Sequence, residues 1–318
     1  MSILKEIYRD FGDPLKHEAR LKLWLPIMRE LKNMLGRKLK YFTLPGPKAY
    51  DVIKWKKEGL LEFDGRGFPE VCFCEMDPNN YINAKRILGN TGGIKGRFEN
   101  IIQNRRDPRY KAFWELFPYD VYNLDFCGTW FEDEEPLSQT FVSIINLINA
   151  HVRCRKFNKF IVFLTIRIDK RRTNKQVIDD LKDNLQDNLS QQIFQGILSI
   201  DDLATFIKNR FHAFMLISIP KLLAFKMIPQ TRRLSGRITK LTRGYYPRNR
   251  YHIGKFVLVI DKERTDLRHN PDWYKQIVRE SFELTHIIKI ARNTIAEETQ
   301  RDLQALREEI KRIERYGT

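Results

Sequence analysis

The sequence predicts an α/β fold: a mostly parallel sheet with helices on both faces and an antiparallel edge strand, extended by helical additions at the N- and C-termini. Three observations carry that expectation. Short apolar runs alternate with segments of helical periodicity, as parallel sheets require. One run, KFIVFLTIRI, is continuously apolar, the pattern of a strand covered on both faces. At 318 residues and 42% apolar composition, the chain can bury a full core.

Taken in order, residues 1–37 form a helical lead-in with apolar positions such as Leu23, Trp24, Ile27 and Leu31, interrupted at Pro14 and Pro26. The stretch KLKYFTLPGPKAYDVIKW runs from a short strand through Pro45-Gly46-Pro47 into a helix near Lys48. PEVCFCEMDPNNY repeats the step, with a strand ending on Glu75 and Asp77 and a helix from Pro78 or Asn79. Cys72 and Cys74 alternate with Phe73 and so face one side as reduced, buried thiols; Cys127 and Cys154 complete the cysteines, with no zinc spacing. GRFENII reads as a short edge strand or a helix start, YDVYNLDF as a strand, and LSQTFVSIINLINAHVRCRK as an amphipathic helix.

From Leu39 to Lys170 these steps describe a Rossmann-like unit. The expected division is a lead-in over 1–37, a main domain over 38–264 with a helical insertion at about 171–210, and a C-terminal helical extension over 265–318. In that extension Ile295, Leu303, Leu306, Ile310 and Ile313 recur on one face, for packing within the chain or for a homo-oligomer or protein partner.

Charge constrains the partner. Lys and Arg number 57 against 40 Asp and Glu, a formal net charge of +17, which favours nucleic acid, DNA or RNA, over an acidic membrane surface. The sequence shows neither a signal-peptide pattern nor an apolar run long enough for a membrane span, so a cytoplasmic location is expected. The strongest polyanion candidate is TRRLSGRITKLTRGYYPRNR, with seven basic residues and no acid. Arg232, Arg233, Arg237, Lys240, Arg243, Arg248 and Arg250 are read as phosphate contacts, and Tyr245 and Tyr246 as stacking groups. A solvated connection leading into the strand YHIGKFVLVIDKE is the plainer alternative.

Ligands of open parallel sheets bind at the carboxyl ends of the strands. Those ends hold Gly46, then Glu75 and Asp77, then Asn123-Leu124-Asp125-Phe126-Cys127-Gly128. An acid ending the second strand can accept hydrogen bonds from ribose hydroxyls; Glu75 suits the role, while Asp77 beside Pro78 is better placed to cap a helix.

The order of these features resembles the class I S-adenosylmethionine-dependent methyltransferases over residues 39–170, with YHIGKFVLVIDKE as part of a reversed hairpin at the sheet edge. The Asp125-Phe126-Cys127-Gly128 motif is similar to the Asp-Pro-Phe-Gly type of tRNA guanine-amine methyltransferases and three-Cys-motif partner proteins. It departs from them in lacking the proline after Asp125 and in having one glycine in the first turn. The resemblance implies S-adenosylmethionine as cofactor, held around Gly46, Glu75, Asp77 and Asn123. It also implies Asp125 and Phe126 orienting a base, with Cys127 and Gly128 beside them. Cytosine methyltransferases place proline before their nucleophilic cysteine, so Cys127, preceded by Phe126, reads as a bystander thiol. The implied activity is methyl transfer to nucleic acid. The alternative is an inactive, nucleic-acid-binding relative within a mobile-element or defence assembly.

Overall fold

The computed structural model describes residues 12–63, 67, 69–89, 92–126, 138–154, 158–190, 203–227, 234–248, 250–264 and 287–316. The chain is helical from Pro14 to Leu35: α1 (Pro14–Ala19), a π-helical turn (Arg20–Trp24) and α2 (Leu25–Leu35). Pro14 opens α1 and Pro26 follows the π turn, so both prolines sit where a missing N–H is tolerated. Next come β1 (Tyr41–Thr43), α3 (Tyr50–Lys57), β2 (Val71–Glu75), α4 (Pro78–Leu88) and β3 (Gly93–Lys95). Then follow α5 (Phe98–Gln103), α6 (Pro108–Leu116), β4 (Val121–Asp125), α7 (Gln139–Arg153) and β5 (Lys159–Ile168). The insertion read as helical holds α8 (Lys175–Ser190) and α9 (Leu203–Asn209), and the apolar run after it is one helix, α10 (Phe211–Lys226). The chain continues with β6 (Leu234–Arg248), β7 (Tyr251–Arg264), β8 (Ile287–Lys289) and α11 (Glu297–Tyr316).

Three Asp-Pro pairs start helices. Asp13, Asp77 and Asp107 each accept a backbone N–H at the N-cap of α1, α4 and α6, and proline occupies the next position. The eight strands form one sheet in the order β3-β2-β1-β4-β5-β7-β6-β8. The first five follow the doubly wound order, with the reversal between β1 and β4. β2 and β3 pair with their neighbours in parallel, whereas β6 and β7 form an antiparallel hairpin.

The chain divides into two compact units, one of Met1–Cys127, Phe160–Leu164 and Ile288–Thr318 and one of Gly128–Lys159 and Thr165–Ile287. The lead-in and the C-terminal helix therefore belong with the first four strands. In this first unit one sheet face carries an aromatic cluster, with Phe42 against Phe113 (5.2 Å), Tyr119 (5.7 Å) and Phe98 (6.2 Å). Leu303, Leu306, Ile310 and Ile313 are buried as α11 packs on α1, α3 and α4. That face serves packing within the chain, which leaves those side chains unavailable to an oligomer partner. The expected all-helical tail also contains the short strand β8.

In the second unit Lys262 donates its amide to Asn158, Lys255 Nζ reaches Thr165 Oγ1 and Gly254 lies against Ile168. Numbers fall along β7 as they rise along β5, so the two strands are antiparallel. Among the described residues, no helix is long and apolar enough to cross a membrane.

Two buried histidines make stability depend on acid. Burial, then the charge of Arg20, pushes His17 down to about 4; Lys54 adds to this, while Asp302 of α11 opposes it. Burial, then Lys262, pushes His151 to about 3. At about one unit or more above pH 6.5 both imidazoles are neutral in either state. Below it the unfolded chain takes up protons that the folded chain does not, so stability falls as pH drops through the interval between the two pKa values. The expected loss is about 2–3 kcal/mol per histidine by pH 4.5. Urea midpoints at pH 7 and 4.5 measure it, and His151→Leu is expected to halve the slope.

Candidate functional site

The carboxyl ends of β1, β2 and β4 make the site. Thr43, the last residue of β1, pairs with Phe73 on one side and Asn123 on the other. Both outer strands run two residues further, to Glu75 and Asp125, so these acids flank the end of β1. With neighbouring strands about 4.8 Å apart, their Cα atoms lie roughly 10 Å from each other. The shared register also puts Thr43, Glu75, Asn123 and Asp125 on one sheet face.

Beneath that mouth lies a buried polar network. Asp51 of α3 accepts at Oδ2 from Tyr41 (2.9 Å), Thr43 (2.9 Å) and Asn123 Nδ2 (2.7 Å). Trp55 in turn donates to the Tyr41 hydroxyl at 3.1 Å. Burial, then the charge of Asp51, holds the Tyr41 phenol well above its usual range. Asn123, expected to touch cofactor, instead braces this network, because its amide nitrogen is taken by Asp51 and Thr43. Its Oδ1 is buried and has no hydrogen-bond partner among the described residues.

Asp125 forms a buried ion pair with Lys16 of α1. Phe126 leans edge-on to Phe98 at 5.6 Å. Cys127 and Gly128, the other two motif residues, lie outside the described residues. Glu75 is half-buried and accepts the Asp77 amide at 2.9 Å. Burial pushes its carboxyl above the ordinary range, against the pull of the Asp77 and Met76 amides. Asp77 is the cap of α4, its Oδ1 taken by the amides of Asn79 (2.9 Å) and Asn80 (2.8 Å). A carboxylate oxygen engaged in that way supports the helix end and is poorly placed for a ribose.

The turn after β1 is short of donors. Leu44 gives its amide to Asn123, Ala49 gives its own to Gly46, and Pro45 and Pro47 have none. Among the described residues, no backbone carbonyl takes the Gly46 or Lys48 amide. Ala49 holds a left-handed conformation (φ 43°, ψ 41°) at the start of α3, a backbone cost of about 1–2 kcal/mol for a residue with a Cβ.

The basic segment is itself a strand, β6, in the second unit. A bulge between Ile238 and Lys240 changes which residues share a face. Arg237, Lys240, Tyr246 and Arg248 fall on one side, and Leu241, Arg243 and Tyr245 on the other. Arg243 is buried under α10 and donates to the Leu216 carbonyl at 2.7 Å, and Tyr246 is fully buried. Neither can meet a phosphate or a base, which corrects the expectation for both. Tyr245 clusters with His212 (4.6 Å) and His252 (5.7 Å). Arg237, Lys240 and Arg248 are half-buried, Arg250 is exposed at the turn, and Arg232 and Arg233 lie outside the described residues.

The fold and the strand ends define a Rossmann-like α/β protein with its candidate site at the reversal of strand order. Residues 75–201 are similar to a family whose model is described as PP_RS20740-like. The match begins at Glu75 and spans the Asp125 motif, yet covers less than half of the chain. No curated protein matches the sequence.

Proposed function

We propose that the chain is an S-adenosylmethionine-dependent methyltransferase acting on nucleic acid. The observation that carries this reading is the pair of acids, Glu75 and Asp125, on one sheet face at either side of the end of β1, where the strand order reverses. The antiparallel β6–β7 hairpin beside β5 agrees with the reversed hairpin that the resemblance implies.

The residues fit the cofactor unevenly. Glu75, half-buried at the end of β2, suits accepting hydrogen bonds from ribose hydroxyls, although burial raises its carboxyl and so opposes the charged form. The turn offers only the Gly46 and Lys48 amides. When bound, S-adenosylmethionine would supply a methyl group on a sulfonium. Asp125, fixed by Lys16, orients the acceptor, and Phe126 on Phe98 gives a flipped base an aromatic wall. The net charge of +17 supports a nucleic-acid substrate.

The second reading, a non-catalytic nucleic-acid-binding relative, is favoured by the same ion pair, since a neutralised Asp125 has less to offer an amine. Calorimetry with S-adenosylmethionine and S-adenosylhomocysteine separates the two. Binding of both is expected, with Glu75→Ala weakening it tenfold or more, about the worth of a charged hydrogen bond. No heat at millimolar ligand removes the enzyme reading. Retention on DNA and RNA that is absent, or indifferent to salt, removes the nucleic-acid one.

A further inference from the structure

Arg20, the first residue of the π-helical turn, is 3% exposed. Its Nε and Nη1 are sealed from solvent and have no hydrogen-bond partner among the described residues. Four carboxylates of the same unit are already engaged. Glu18 holds Lys22 and Thr299, Asp51 accepts three donors, Asp125 holds Lys16, and Asp302 holds His17 and Lys54. No acidic group among the described residues pairs with Arg20. Its charge nevertheless acts on its surroundings, holding His17 down and opposing the rise at Tyr41. A guanidinium keeps its proton in proteins, and a buried charge without a counter-ion is strongly unfavourable. π-helical turns are also frequent at functional sites.

We infer that Arg20 anchors a buried site for a small oxyanion, a carboxylate or phosphate group, at the π-helical turn of the lead-in helix. The weakly hydrated guanidinium suits such a partner better than an ammonium would, through charge-assisted hydrogen bonds from the nitrogens that now have none. The site stands apart from the methyltransferase reading, because no cofactor is needed to fill it.

Thermal melts of the full chain in increasing formate or phosphate, at ionic strength held constant with chloride, test the inference. A saturable rise is expected, about 3 °C at ten times the half-saturating concentration, and Arg20→Gln is expected to abolish it. The two anions distinguish a carboxylate-sized site from a phosphate-sized one. An equal rise in both proteins, or none in the wild type, overturns the inference. Should Arg20→Gln fail to fold, the wild-type His17 imidazole serves as the probe by NMR. An anion at Arg20 should move its pKa upward from about 4, and a pKa unmoved by either anion overturns the site. Cofactor calorimetry is a separate measurement, so each proposal can fail alone.

Discussion

Lys16→Met is expected to lower stability by about 3–5 kcal/mol, the penalty for leaving a buried carboxylate without its partner. Lys16 and Asp125 have side chains only 3% and 6% exposed, so water cannot replace the lost ammonium. Asp125→Leu alone should cost a similar amount, for the mirror-image reason. The double variant, Lys16→Met with Asp125→Leu, should recover most of the loss, since an apolar pair of similar volume commonly matches a buried ion pair. Urea unfolding of the four proteins gives the cycle. A single-variant loss below about 1 kcal/mol would mean that Asp125 is solvated and the pair energetically idle. The double variant also serves the functional question: a folded protein that binds S-adenosylhomocysteine and transfers no methyl group would assign Asp125 to the chemistry.

Trp24→Ala should cost about 3–5 kcal/mol, as expected for truncating a large buried aromatic residue. The indole is fully buried and stacks on Phe163 of β5 at 4.8 Å and 11°. It closes the π turn that begins at Arg20 and lies two helical turns from Lys16, so it pins to the sheet the helical segment that carries Lys16 and Arg20, both buried. Trp24→Phe should keep most of the stability, because a smaller ring still fills part of the space. Denaturant unfolding followed by circular dichroism provides the measure, and a loss of less than about 1.5 kcal/mol would show that the lead-in helix is held elsewhere.

The parts of this fold that were legible in the sequence share a physical cause. Asp77-Pro78 works locally, through one side-chain oxygen and one missing amide; Pro14, which reads as an interruption, opens α1 behind the Asp13 cap by the same device. The apolar run of β5 declares burial on both faces, and the acids ending β2 and β4 mark the open ends. The Cys72–Cys74 alternation is likewise local; both thiols are buried, and burial pushes them up, Cys72 to about 12. What stayed hidden depends on distant partners. Lys16, His17, Glu18 and Arg20 form a polar run inside a helix, which reads as a solvated face. Lys16, His17 and Glu18 are buried against Asp125, Asp302 and Thr299, residues more than a hundred positions away. The basic segment resisted for another reason: arginines spaced through β6 obscure a strand whose pairing is supplied by β7.

The bulge at Thr239 has a consequence for descent rather than for stability. A strand distributes its side chains by parity, and one extra residue resets the count downstream. Related chains that gain or lose a single residue here would carry Lys240 and Arg248 on the side opposite Arg237, and Arg243 beside it, while conserving nearly every amino acid. A one-position gap in a comparison of such chains, ordinarily ignored as noise, would mark a change in the surface offered to a polyanion.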